Sequence, residues 1–309
     1  MRALLLAGLV ALLAAGPAAA ADPFAGAHGG PYTTPGGATV KVFTSAQYPA
    51  DDAVNQRWAD FLDSLVHGPE LAQLTLMLAP AGQVQQVCGF GALACYRQQS
   101  ATIYAPADGP PEGPAPEELI AHEYGHHVAA ARQNPPWNAE AWGTKRWATA
   151  MGICAGVHAG RLHPGNESSL YKTNPGEAFA ESYRLLNAAQ LGLPPSPWNQ
   201  VAVSLLPGPA ALAALREDVL SPYGGPTQVS LAGTLPRGGS TTRTFRIRTA
   251  LDGLLQARLT AARGAKLRLR LRLDGKAAGA ETVCGQRVVV ASVQRLSGFG
   301  RFTLSLSVP

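Results

Sequence analysis

The residues with the clearest chemical capacity lie at 121–130, AHEYGHHVAA, where three of the chain's seven histidines and a glutamate fall within six positions. Side chains four apart on a helix are separated by roughly 40° around the axis, so His122 and His126 share a face. Both imidazoles can then reach one cation at the zinc–nitrogen distance of about 2.0–2.1 Å, with Glu123 beside them and free of it. Two neutral nitrogen ligands and a carboxylate base over a water are what metal-assisted hydrolysis needs. The bland reading is a pair of hydrogen-bonded histidines, because HExxH arises by chance in roughly one chain of this length per hundred or so. The apolar surroundings, the Gly125 inside the motif and an exported chain favour a site for one Zn2+ ion.

A catalytic zinc takes a third protein ligand. The pattern HExxHxxGxxH would supply it six residues on, but Ala129 and Arg132 occupy its glycine and histidine positions. A second helix with a carboxylate is the alternative, and NPGEAFAESYR offers one. Asn174 suits the N-cap, Pro175 the first turn, and Glu177 and Glu181 lie one turn apart on one face. Either can be the ligand. Against this, Glu177 could simply close a capping box with Asn174, and Glu181 could pair with Arg184 at the surface. Glu177 is the first choice, with Glu181 better placed to orient a histidine N–H.

The rest of the chain has to bring these two helices together. Residues 1–21 have the basic start, short apolar run and alanine-rich end of a secretory signal peptide, and no later segment has the length of a membrane span. A secreted, soluble protein is expected. The glycine- and proline-rich residues 22–37 read as a flexible lead-in. A domain over 38–222 follows, with strands TVKVFTS, LTLMLAP, VQQVCGF and CYRQQSATIYAP, and a helix DDAVNQRWADFLDSLVHG. Pro116, Glu117 and Glu118 open the histidine helix, and Asn134-Pro135-Pro136 ends it. Further helices cover WNAEAWGTKRWATAMGICAGVHAG, the Glu177 segment and PAALAALREDVL. Trp137, Trp142 and Trp147 read as core anchors. Cys88 and Cys95 bracket a glycine-containing turn and should pair, which leaves Cys154 and Cys284 to pair by elimination.

HEYGH followed by GEAFAE resembles the gluzincin group of zinc peptidases, most nearly the lethal-factor-type bacterial toxins and related exported peptidases with the form E-x-F-A-E. The resemblance implies an α+β fold with a zincin-like catalytic domain, in which a mixed sheet and an active-site helix overlie a helical lower part. It also implies His122, His126 and Glu177 as ligands, Glu123 as general base and a peptide or protein as substrate, cleaved internally. PGE stands here where many members have NE, which leaves the choice between Glu177 and Glu181 open. Such enzymes stabilise the tetrahedral oxyanion with a Tyr or His donor. Tyr171, just ahead of the ligand helix, is the first candidate; His127, His158 and His163 are alternatives, and Tyr124 reads as packing. In this fold a strand such as ATIYAPA commonly forms the edge that pairs with an extended substrate.

Past a linker at 223–228 the period changes to two. Five strand-like runs between glycine turns over 229–309 indicate a small antiparallel β-sandwich. Residues 226–309 carry 14 Lys and Arg against 3 Asp and Glu, whereas residues 1–225 carry 11 against 17. KLRLRLRLDG puts Lys266, Arg268, Arg270 and Arg272 on one face, which is either an ordinary solvated face or a site for an anionic cell-wall or surface polymer. Specific nucleic-acid recognition is not expected. The module resembles the pre-peptidase C-terminal domain of exported bacterial peptidases, which implies possible removal on maturation. The rival to an enzyme is a non-catalytic exported protein of the same fold that binds a cell-surface or polyanionic partner.

Overall fold

A computed structural model describes residues 23–109, 113–193, 198, 200–279 and 281–309. The signal peptide expected over 1–21 lies outside the described residues. The chain is α+β, with one mixed sheet among helices followed by two antiparallel sheets.

The residues expected to lead in flexibly contribute a strand, β1 (His28–Thr33), which pairs antiparallel with β2 (Thr39–Thr44). Glycine and proline lower strand propensity, but β2 supplies a template and β1 takes the outer position where a proline costs no ladder bond. α1 (Asp52–Ser64) begins at Asp51, whose carboxylate accepts from the N–H groups of Ala53 and Val54 at 2.9 and 3.4 Å. β3 (Thr75–Leu78) then runs parallel to β2.

Two strand expectations are corrected. VQQVCGF falls largely within a helix, α2 (Ala81–Cys88), because Val84, Val87 and Cys88 follow helical spacing and only Val84 is buried. CYRQQSATIYAP is broken by a 3₁₀ turn at Gln98–Ser100 and by Ala101 at φ 48°, so it folds back on itself. Its halves are β4 (Cys95–Arg97) and β5 (Thr102–Ala105), paired antiparallel, with β5 parallel to β3. The sheet order is β1-β2-β3-β5-β4. The ATIYAPA strand is therefore interior, and the edge on that side is β4.

α3 (Pro116–Ala130) follows β5 and is buried nearly all round, as expected of a helix enclosed by other elements. Ile120, Tyr124 and Val128 join a core with Val42 and Leu76 of the sheet, Trp58 and Leu62 of α1, and Phe179 and Tyr183 of the later ligand helix. The tryptophan segment forms three short helices, α4 (Ala139–Trp142), α5 (Lys145–Ala150) and α6 (Ile153–His158). Trp147 is buried edge-on against Phe179, and Trp137 stacks on Trp142. α7 (Pro175–Leu191) begins at the Asn174 cap and ends at Gly192, whose φ of 64° suits glycine. α8 (Pro209–Leu220) closes the region.

Beyond it, β6 (Thr227–Leu235) begins inside the expected linker, followed by β7 (Thr242–Thr249), β8 (Gly253–Ala261) and β9 (Lys266–Leu273). Short strands β10 (Lys276–Ala278) and β11 (Glu281–Val283) precede β12 (Arg287–Ser297) and β13 (Gly300–Val308). They form two four-stranded sheets, β10-β9-β12-β7 and β11-β8-β13-β6, around a separate core that includes Leu255, Leu271, Val289, Val293, Phe302 and Leu304.

Both expected disulfides are present, Cys88–Cys95 and Cys154–Cys284. The second ties α6 to the turn after β11. Beside it the Asp252 N–H donates to the Thr149 hydroxyl at 3.0 Å, and Gly285 N–H donates to the Asp252 carboxylate. Lys145 is wholly buried near this seam, donating to the Pro135 carbonyl at 2.6 Å and lying against the rings of Trp137 and Tyr223. No described helix is long and apolar enough to cross a membrane.

Candidate metal centre

α3 and α7 cross where Gly125 meets Ala180. A Cβ built on Gly125 would lie 2.8 Å from the Ala180 Cα and 3.1 Å from the Tyr183 Cβ, so only glycine permits this approach. The contact sits one turn beyond His122 on α3 and one turn beyond Glu177 on α7, and so sets the distance between them.

Glu177 reaches both histidines. Its Oε2 is 3.2 Å from His122 Nε2 and its Oε1 is 3.4 Å from His126 Nε2. The capping alternative does not hold: Asn174 Oδ1 accepts from Gly176 N–H at 3.0 Å, while Glu177 points into the site. Glu181 lies on the other side of His122, with Oε2 3.7 Å from Nδ1. That nitrogen is buried and has no hydrogen-bond partner among the described residues, and Glu181 is the carboxylate facing it. The pair with Arg184 forms, but it is buried. Arg184 Nε and Nη2 donate to the two Glu181 oxygens at 2.9 and 2.7 Å, and Nη1 donates to Glu118 at 2.8 Å. Glu118 also accepts from Ala115 N–H at the start of α3. One guanidinium thereby locks the two helices in register.

The donor set fits a small divalent cation. The ligand atoms of His122, His126 and Glu177 lie within 4.8 Å of one another. A tetrahedron with arms of about 2.0–2.1 Å has edges of about 3.3–3.4 Å, close to the two nitrogen–oxygen separations here. With Nε2 turned to Glu177, the orphaned Nδ1 of His122 would carry the proton, facing Glu181.

The electrostatics follow from burial and proximity. Burial works to lower His122, but its contacts with Glu177 and Glu181 and the charges of Glu177 and Glu123 outweigh it and raise it to about 10. His126 is raised by the same contest, chiefly through Glu177. Burial would lift Glu177, yet the two histidines hold it well below the usual carboxylate range. Glu123 goes the other way: burial raises it, and the neighbouring histidines and a hydrogen bond from the Tyr96 backbone N–H only partly offset that. Two glutamates of one site are thus driven apart, one held as an anion by the histidines and one made harder to ionise by its burial.

These groups line a cleft of about 820 Å³. The Cys88–Cys95 loop forms one wall, with Phe90 fully exposed, and Tyr171 lies opposite with its hydroxyl donating to Glu177 Oε2. Burial and the Glu177 charge both raise the Tyr171 pKa. Of the other donor candidates, His127 is committed elsewhere: Nε2–H donates to the Glu70 carbonyl at 2.9 Å and Nδ1 accepts from the Tyr96 hydroxyl. His158 lies beside Cys284 and His163 beside Thr173, and neither lines the cleft. Tyr124 is buried packing against Tyr183, as expected.

Several participants carry no sequence signal. Trp198 packs 5.3 Å from the His122 ring, and the Tyr96 backbone lies near enough to the Glu123 carboxylate to favour its charged form. Glu140 and Glu167 also line the cleft; burial and the Glu177 charge push Glu167 up to about 7. Each comes from a loop or short element outside the two motifs.

No family model matches the chain, and no curated protein matches it. Among solved structures it matches the thioester domain of the Enterococcus faecium TIE86 protein at 11% identity, over 48% of this chain and 69% of that one. The TM-score of 0.13 is too low to relate the two folds. The class suggested by the site thus rests on its own geometry.

Proposed function

We propose that this chain is an exported zinc peptidase of the zincin type that cleaves within peptide chains. The observation that carries the reading is the convergence of three donors from two separate helices, His122 and His126 from α3 and Glu177 from α7, on one point in a cleft. A divalent cation held there would supply Lewis acidity toward a carbonyl oxygen and lower the pKa of water.

The chain's own groups divide the remaining work. Glu181, fixed by Arg184, faces the His122 Nδ1–H, which favours the tautomer that leaves Nε2 free to bind. Glu123 takes a proton from the attacking water and returns it to the leaving amine, a task suited to a carboxyl whose pKa burial has raised. Tyr171 is the donor best placed to turn from Glu177 to a developing oxyanion. β4 offers an edge beside the cleft along which an extended peptide can pair through its backbone. The two disulfides suit an oxidising compartment outside the cytosol, and the appended sandwich is in keeping with a pre-peptidase C-terminal module.

Replacing Glu123 with Gln tests the assignment. Cleavage of a mixed peptide library should fall by about 10²–10⁴-fold while one equivalent of zinc stays bound. Retained cleavage removes Glu123 from its role. A zinc-loaded wild type that is inert on the same library favours instead the non-catalytic, partner-binding protein.

A further inference from the structure

Ten of the fourteen cations of the C-terminal sandwich lie on one sheet. In β10-β9-β12-β7, residues alternate between core and solvent, and the cross-strand register shows which face each takes. Leu269, Leu271, Val289, Val293, Phe245 and Ile247 turn inward. The opposite parity puts Lys266, Arg268, Arg270 and Arg272 of β9 and Arg246 and Arg248 of β7 on the outer face, all of them exposed. Between these rows runs β12 with short neutral residues. Arg272, Val290 and Arg246 form one rung, and Arg270, Ser292 and Thr244 the next. The outer face of the other sheet is rich in serine, threonine and glutamine, with Arg258 and Arg301 as its cations.

Among the described residues none of these six cations forms an ion pair. Of the module's three acids, Asp252 is buried at the seam, Asp274, in the turn after β9, pairs with Arg287 at 3.4 Å, and Glu281 is in the other sheet. Alternate residues along a strand are about 6.6–6.8 Å apart and neighbouring strands about 4.8 Å apart. The β9 cations therefore form a ladder about 20 Å long, with a second row about 10 Å to its side.

We infer that this face binds a linear polyol-phosphate polymer, laid along the strands and held through its phosphates. Five of the six cations are arginine, whose planar fork matches phosphate oxygens two at a time. A regular ladder of charge suits a polymer of regularly spaced charge. Residues 226–309 contain no Trp or Tyr; Phe245 and Phe302 join the core, and Phe299 lies in the β12–β13 turn under Arg237. Bases therefore find no stacking platform, which disfavours single-stranded nucleic acid. Its apolar groups are the half-buried Val288 and Val290, the exposed Ala277 opposite Arg272 and Leu296 at the β12 bulge, too little to insert into a bilayer.

The test uses the full chain and fluorescent poly(glycerol phosphate), with binding followed by anisotropy across a sodium chloride series. The triple variant R268Q/R270Q/R272Q should bind about 30-fold more weakly at low salt, and its slope of log K against log salt should be shallower by about 2. The variant R258Q/R263Q/R301Q removes the same charge elsewhere and should stay within about 3-fold of wild type. Equal losses in the two triples overturn the assignment, as does salt-insensitive or absent binding by the wild type. Tighter binding to phosphatidylglycerol vesicles, or to oligodeoxythymidylate of matched charge, also overturns it. Circular dichroism checks folding; should the first triple not fold, the pair R268Q/R270Q carries the test with an expected loss of about 10-fold.

Discussion

Gly125→Ala should weaken metal binding without touching a ligand. The added Cβ would sit 2.8 Å from the Ala180 Cα and 3.2 Å from the Ala180 carbonyl oxygen, both parts of a helix backbone that cannot rotate away. Carbon–carbon contacts are optimal at about 3.5–4.0 Å, so α3 and α7 must part by about 0.7 Å at this point. Glu177 and His122 each lie one turn from the contact, and their 3.2 Å separation would open by a similar amount. Metal–ligand distances tolerate only about 0.2 Å of error, so Glu177 would be pulled off the shared point. Losses on disturbing the groups that orient a ligand run to about 10–100-fold in affinity, and the same range is expected here. Overpacking costs about 1–3 kcal/mol, while alanine recovers about 0.8–1.0 kcal/mol of helix propensity over glycine. The net destabilisation should therefore be between about 0 and 2 kcal/mol. Competition with a chromophoric zinc chelator reads the affinity, and urea denaturation of the metal-free protein reads the stability. A variant that binds zinc as tightly as wild type would refute the claim that this contact sets the ligand geometry.

Further expectations follow from the buried charges and the cross-links. Arg184→Met leaves Glu118 and Glu181 buried without their cation and should cost about 3–5 kcal/mol in urea denaturation; a loss below about 1 kcal/mol would mean the network is not holding the helices. Burial lowers Lys145 from its usual value to about 8, so between about pH 8 and 10.5 the unfolded chain binds more protons than the folded one. Wild-type stability should accordingly rise relative to Lys145→Met across that window, by up to about 3 kcal/mol, as read by denaturation at several pH values. Removing the Cys154–Cys284 bridge, whose partners are 130 residues apart, should destabilise about twice as much as removing Cys88–Cys95, separated by 7. Thermal unfolding of the two double-alanine variants compares them.

What the sequence determined by itself is what short-range periodicity can carry. HExxH spacing puts His122 and His126 on one helix face wherever that helix lies, and Asn174-Pro175 starts a helix with Glu177 and Glu181 one turn apart. Alternation over β7, β8, β9, β12 and β13 announced the sandwich, and the charge asymmetry marked it off. Cysteine spacing gave one disulfide and elimination the other. The choice between the two glutamates depends on how α7 is rotated against α3, which the Gly125–Ala180 approach and the Arg184 bridge decide across 55 to 66 residues of chain. The edge strand was misplaced for a similar reason, since a turn at Ala101 folds β4 over β5 and brings the Tyr96 N–H to Glu123. β1 forms because β2 is there to pair with, not because its own residues favour a strand. Local pattern fixes which side chains lie together on one element, and only packing between distant elements fixes which of them meet.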